Sequence, residues 1–312
     1  MDANPLLQLK ALGQSIWLDV LSRDLIASNS LAGLIAIDGI SGVTTNPSIC
    51  GKAIAEQDVY DEAISRLAAS GCDTATICRR LIEHDVADAA DLLRPEYERS
   101  GGKDGFVSIE VSPHLADDTE ATVDEARRLW VTTNRSNVLI KVPATRAGVP
   151  AIRRLIAEGV NVNATLLFGV PRYAQVLEAY EAGLQDRLDA GYAVGKVASV
   201  ASFFVSRIDT AVDRLLDAII ERGGANAAVA STQRGHAAIA CARLAYRHFV
   251  QAVSSDSFRA LAARGAHAQR LLWASTGTKD PAYADTCYVE PLIAADTINT
   301  MPLPTLDAYR SH

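Results

Sequence analysis

A lysine inside an apolar, β-branched run is the residue of this sequence best placed to do chemistry. The run is Asn137-Val138-Leu139-Ile140-Lys141-Val142-Pro143. Its composition predicts a buried strand of a mostly parallel sheet, ended by a proline that cannot donate to a ladder. Only a neutral amine is a nucleophile, and bringing a lysine from about 10.4 to about 7 takes roughly 4.6 kcal/mol. Burial in a dry interior can supply that much, which makes Lys141 a candidate Schiff-base nucleophile. The competing account is a lysine that snorkels from the strand end or pairs with a carboxylate.

Further polar residues stand near the carboxyl ends of the other strand-like runs: Asp19, Asn46, Glu110, Asn163 with Thr165, Ser202 and Ser275. Each has an ordinary explanation when taken singly. Asp19 suits a helix N-cap and Asn46 before Pro47 a helix start. Glu110 could face solvent at an edge, Asn163 and Thr165 could satisfy each other, and Ser202 could be a small residue at a crowded turn. Together they would bring an amine, two carboxylates and neutral hydrogen-bonding groups to one pocket. Two chemistries fit. One is a Schiff-base carbon–carbon lyase or transferase, with the carboxylates moving protons. The other is a metal-assisted enzyme with Mg²⁺ on Asp19 and Glu110 and Lys141 as base. The metal reading wants a third carboxylate, which strands four to seven do not offer. His84, His114, His236, His248, His267 and His312 show no zinc-binding spacing and read as surface or satisfied core residues. Because a carboxylate beside a lysine favours the charged amine, Lys141 is expected to lack a bidentate carboxylate partner.

Positioning such a set needs several strands meeting at one end. Strand patterns fall at 15–20, 40–45, 106–111, 137–143, 160–167, 197–203, 271–275 and 296–301. Helical patterns separate them: one from Ser22 interrupted near Ser28-Asn29-Ser30, then stretches at 119–135, 146–157, 171–190 and from the sixth strand to Arg222. Two helices inserted after strand 2 span about 58–97, broken at Ser70-Gly71-Cys72-Asp73. Another insertion, after strand 6, runs from Thr232 to about Val253. Eight alternating strand and helix signals with no Pro-, Gly- or Ser-rich linker predict a (β/α)8 TIM barrel forming a single domain over residues 1–312. A doubly wound open sheet would more readily carry a Gly-rich turn after its first strand, and Leu18-Asp19-Val20-Leu21-Ser22 has none.

Composition bounds the function classes. Hydrophobic residues make up 49% and charged ones 21% of 312 residues, as in a globular domain with a large core. A net charge of −7 without a basic stripe argues against a nucleic-acid partner. Cys50, Cys72, Cys78, Cys241 and Cys287 form no CxxC pair and read as reduced packing residues. The segment from Met1 to Pro5 has no basic leader and no apolar run reaches about 18 residues, so the expectation is a cytoplasmic protein without a membrane helix.

Seven runs resemble transaldolase. They are Ile16-Trp17-Leu18-Asp19, Gly42-Val43-Thr44-Thr45-Asn46-Pro47-Ser48, Val107-Ser108-Ile109-Glu110-Val111, Ile140-Lys141-Val142-Pro143-Ala144-Thr145, Asn161-Val162-Asn163-Ala164-Thr165-Leu166, the stretch Ala201 to Asp209, and Trp273-Ala274-Ser275-Thr276-Gly277-Thr278-Lys279. The resemblance implies a cofactor-free, metal-free enzyme of the non-oxidative pentose phosphate pathway. It would move a dihydroxyacetone unit from sedoheptulose 7-phosphate to glyceraldehyde 3-phosphate, giving erythrose 4-phosphate and fructose 6-phosphate. Carried over by motif, Lys141 forms the imine, Asp19 takes the C4 hydroxyl proton, and Glu110 with a water on Thr165 shuttles protons. Asn46, Asn163 and Ser202 hold the three-carbon fragment. Arg207 binds the phosphate with Ser275 and Lys279 as further donors, against the alternative that Arg207 pairs with Asp209 or Asp213.

The family pattern continues past the eighth strand into a last helix and tail. Here Leu306-Asp307-Ala308-Tyr309-Arg310 stands close to the final residue given, so the expectation is a barrel lacking that helix and tail, its bare surface covered by a fusion partner or an oligomer contact. Two alternatives accompany it: a Schiff-base lyase acting on fructose 6-phosphate, and a non-catalytic barrel module.

Overall fold

The structure is a computed structural model that describes residues 4–311. Met1–Ala3 of the N-terminal segment and His312 lie outside the described residues. Eight parallel strands close in chain order into a barrel: β1 (Gln14–Leu18), β2 (Gly42–Val43), β3 (Phe106–Glu110), β4 (Val138–Pro143), β5 (Val162–Leu167), β6 (Ser199–Phe204), β7 (Arg270–Ala274) and β8 (Thr297–Met301). Pairing of β1 with β8 shuts the ring. The helices lie between and around them. They are α1 (Pro5–Ala11), α2 (Arg23–Ala27), α3 (Ser30–Asp38), α4 (Pro47–Glu56), α5 (Asp61–Ala69), α6 (Thr74–Arg99), α7 (Thr119–Thr133), α8 (Gly148–Glu158), α9 (Val170–Asp189), α10 (Ser206–Arg222), α11 (Ala225–Gln233), α12 (Ala237–Val253), α13 (Asp256–Ala262) and α14 (Leu303–Ser311). This is the (β/α)8 barrel that the alternation predicts, with extra helices after β2 and β6.

The local chemistry sets the breaks. Ser22, Asn46, Asp73, Asp118 and Ser255 each cap a helix by accepting a backbone N–H through the side chain. Asn29, at φ +60°, separates α2 from α3, and Gly71, at φ +83°, with the Asp73 cap separates α5 from α6. The insertion after β6 is larger than its apolar pattern suggests, because α11 and α13 flank α12. Helix α1 escapes the pattern reading because seven residues are too few to show a period. Its Leu6 and Leu9 are fully buried all the same. The strand β2 is only two residues long, shorter than the predicted run 40–45, although Ser41 and Thr44 still donate their backbone N–H groups to Ile16 and Leu18. After β8 the chain forms the nine-residue helix α14, with Leu306 buried and Arg310 bound to Asp38 at 2.6 Å.

Inward residues recur at every second position, as the pleat requires. Trp17, Phe106, Leu139, Val200, Leu272 and Ile298 fill the middle of the barrel as one apolar layer. Below it, at the amino ends of the strands, Asp104 accepts from Trp17 Nε1 at 2.7 Å and from Ser41 Oγ at 3.0 Å, bonds Ser15 Oγ, and lies 3.6 Å from Arg270. Gly42 makes room for Trp17: a Cβ there would stand 2.3 Å from the indole ring.

Gly42→Ala should therefore destabilise the fold by about 1–3 kcal/mol or more, because the fully buried indole has nowhere to withdraw. Urea denaturation measures the loss. A midpoint equal to that of the parent would contradict the packing described.

Candidate active site

The ladder sets Glu110 opposite Lys141 and Lys141 opposite Asn163, so three consecutive strands present inward polar side chains at one level. This level lies directly above the apolar layer, at the carboxyl ends of the strands, where a cavity of about 540 Å³ opens. Lys141 is 7% exposed. Its Nζ donates to the Thr45 carbonyl oxygen at 3.0 Å and stands 3.5 Å from a single oxygen of Glu110. A carbonyl accepts from a neutral amine as well as from an ammonium, so this anchor holds the nitrogen in either state. The Glu110 contact is neither bidentate nor short. Burial pushes the Glu110 carboxyl above its ordinary value; Lys141 opposes that rise and Asp19 adds to it.

Asp19 follows β1 and is fixed by Thr44, which donates to Oδ1 at 2.7 Å and also touches Thr300 Oγ1 at 2.7 Å. Asp19 also lines the cavity. Thr165 and Asn163 do not satisfy each other. Asn163 is fully buried beneath the cavity floor, donating to Ser108 Oγ at 3.0 Å and accepting from Ser202 Oγ at 2.7 Å. Thr165 Oγ1 lines the cavity and has no hydrogen-bond partner among the described residues. An unpaired buried hydroxyl is costly unless a ligand or water completes it. Asn46 uses Oδ1 to cap α4 at Ile49 N, 2.9 Å away, and also borders the cavity.

The rim is cationic. Arg207 opens α10, lies 5.2 Å from the centre of the Phe204 ring, and makes no ion pair among the described residues. Asp209 and Asp213 are engaged elsewhere, Asp209 by Ala238 N and Tyr288, Asp213 by Gly235 N and Tyr283. The pairing alternative for Arg207 therefore fails. Ser275, in the left-handed region at φ +56°, exchanges a hydrogen bond with Ser206 Oγ at 2.9 Å at the start of α10. Lys279, exposed on the loop after β7, borders the same cavity.

Of the ten residues singled out in the sequence, all but Asn163 line this one cavity. The sequence reading missed Thr44, Thr300, Phe204 and Leu166, which also line it. Alternation could have found three of them, since Thr44 lies two residues beyond inward Gly42, Phe204 two beyond inward Ser202 and Thr300 two beyond inward Ile298. Leu166 could not be found that way. The register shifts between Ala164 and Leu167, and Leu166 takes φ +62°. The Thr45 carbonyl also has no signature in a side-chain pattern.

Among the described residues no three His, Cys, Asp or Glu side chains gather as metal ligands. Burial pushes the Cys50 thiol up to about 11, which suits a packing role. No described helix is long and apolar enough to cross a membrane.

Residues 16–312 match the family model described as Transaldolase/Fructose-6-phosphate aldolase. The chain is 48% identical over 315 residues to "Transaldolase 2" of Nostoc sp. (strain PCC 7120), an alignment covering 100% of this chain and 83% of that protein. It is 49% identical over 311 residues to "Transaldolase" of Mycobacterium tuberculosis (strain H37Rv), covering 99% of this chain and 82% of the relative. Identity to "Transaldolase" of Frankia alni is 47% over 310 residues, with 99% and 82% covered.

The raised Glu110 carboxyl has a consequence for stability. Between the ordinary glutamate value of about 4.3 and its own raised value, folded Glu110 holds more protons than the unfolded chain does, so stability falls as pH rises through that interval. Glu110→Gln should remove this part of the slope. Denaturant unfolding of both proteins across pH 4–8 measures it, and parallel curves would show that Glu110 is not desolvated.

Proposed function

Because the chain belongs to the transaldolase and fructose-6-phosphate aldolase family, we propose that it is a transaldolase that passes a dihydroxyacetone unit between sugar phosphates in the pentose phosphate pathway. The observation that supports this reading most is a buried amine held by a neutral carbonyl, 3.5 Å from one carboxylate, in a cavity that a second carboxylate also lines. All three relatives reported above carry the name transaldolase, and none that of the aldolase.

In this reading Lys141 Nζ adds to the C2 carbonyl of a ketose phosphate, and the carbinolamine loses water to give a protonated imine. Glu110, whose raised carboxyl can carry a proton nearer neutrality, delivers and retrieves that proton through a water on Thr165. Asp19, oriented by Thr44, takes the C4 hydroxyl proton. The C3–C4 bond then breaks, the aldose phosphate leaves as an aldehyde, and the electron pair moves into the imine as an enamine. The acceptor aldehyde is attacked by this enamine, Asp19 returns its proton, and water releases the new ketose. Asn46 and Ser202 hydrogen-bond the three-carbon fragment. Asn163 supports Ser202 from below and reaches the fragment through it. Arg207, Ser275 and Lys279 hold the phosphate, two of them as cations with no carboxylate partner among the described residues. Residues 1–312 work as one barrel domain on small sugar phosphates, in the cytoplasm, and the net charge of −7 argues against nucleic acid as a partner.

Borohydride added with fructose 6-phosphate should leave a three-carbon adduct on Lys141, seen by peptide mass. Folded protein without any adduct would overturn the proposal, as would free dihydroxyacetone forming in excess of transfer product. Lys141→Arg should form no adduct, because a guanidinium remains protonated. Asp19→Asn should still be trapped by borohydride, yet transfer about 10²–10⁴ times more slowly; equal loss of trapping in both variants would refute the division of labour.

A further inference from the structure

The loop that carries Lys279 is anchored on its far side by the helices inserted after β6. Asp280, the next residue, accepts from Arg234 Nη2 at 2.9 Å. Arg234 lies between α11 and α12, and its Nε stands 2.8 Å from Asp217 Oδ1 of α10, an ion-pair contact off the N–H line. The same guanidinium faces the Tyr283 ring, 5.9 Å from its centre. Tyr283 in turn donates to Asp213 Oδ2 at 2.7 Å, while Asp213 Oδ1 accepts from Gly235 N at 3.1 Å. Gly235, at φ +73°, leaves room for that ring, since a Cβ there would meet it at 3.0 Å. Lys279 borders both this clasp and the catalytic cavity.

Resting on the reading of Lys279 as a phosphate donor, we infer that Arg234 is a positioning residue for substrate phosphate, acting by clamping Asp280 and so fixing where the Lys279 ammonium stands. A lysine carries a mobile point charge on a flexible stem. It contributes most to binding when the backbone beneath it is fixed, and nothing else described here ties the charged end of Lys279 to the rim. The role concerns phosphate capture and not the bond-breaking steps, because the clasp lies outside the cavity that holds Lys141 and Asp19.

The test measures kcat, the KM for fructose 6-phosphate and the Ki of inorganic phosphate as a competitor. Arg234→Ala should raise KM and Ki together by about 2–5-fold, the factor of one half-exposed ion pair, with kcat unchanged. Arg234→Lys should restore part of the loss. Asp280→Asn, which keeps the turn contact with Ala282 N, should reproduce the effect from the other side without touching Arg234. Lys279→Ala should raise both constants about tenfold, as for loss of a charge-assisted hydrogen bond, and adding Arg234→Ala to it should change nothing more. If Lys279→Ala leaves the Ki of phosphate unmoved, the assignment of Lys279 itself is wrong and the inference goes with it. If Lys279→Ala acts but Arg234→Ala and Asp280→Asn do not, the clasp is refuted while the phosphate site stands. Additive effects in the double variant, or a fall in melting temperature with unchanged KM, also refute it by assigning Arg234 a separate or merely bracing role.

Discussion

The chemistry proposed for this molecule depends on holding one amine inside a closed ring of strands without giving it a strong anionic partner. A lysine taken out of water must be paired, neutral or hydrogen-bonded, and a tight carboxylate pair would keep the ammonium charged. The barrel meets this constraint with the Thr45 carbonyl at 3.0 Å as the nearer contact and one Glu110 oxygen at 3.5 Å as the looser one. The carbonyl position depends on β2 and the short turn into α4, which the Asn46 cap and Pro47 begin. The Lys141 nitrogen is thus aimed by the turn that leads from a different strand into a helix start.

Beneath the amine the barrel is packed as any structural core would be. The layer of Trp17, Phe106, Leu139, Val200, Leu272 and Ile298 separates the cavity from the polar cluster around Asp104. The cavity opens on the carboxyl side of that layer, at the strand ends. The two carboxylates at that end live in different settings: Glu110 is desolvated beside Lys141, and Asp19 is oriented by a threonine hydroxyl. Different environments of this kind are what the separate tasks proposed for the two acids require.

Backbone conformation marks the same end. Five described non-glycine residues adopt positive φ: Asn29, Asn134, Asp296, Leu166 and Ser275. The first three belong to residue types that tolerate the left-handed region in turns. Leu166 and Ser275 do not share that tolerance, and these two line the cavity. Strain of this kind persists when surrounding structure enforces it, here the register shift in β5 and the Ser206–Ser275 contact at the start of α10.

The eight strands, the helices between them and the strand position of Lys141 were legible because burial on both faces of a parallel sheet leaves continuous apolar runs, and because residues such as Ser22 and Asn46 announce helix starts. Polar residues at strand ends were legible for the same reason: in such a run a charge stands out. What the chain alone could not determine is which of these groups are already satisfied. Asn163 and Thr165 share a strand and read as a pair, yet the closed ring gives Asn163 to Ser108 and Ser202 and leaves Thr165 Oγ1 unpaired among the described residues. Arg207 stands two residues from Asp209, yet packing hands Asp209 to Ala238 N and Tyr288. The Thr45 carbonyl and the bulged Leu166 leave no mark in a pattern of side-chain types, because they are backbone events. Sequence periodicity records which face a residue turns to the core, whereas the partner it meets there is decided only when distant strands and helices close around it.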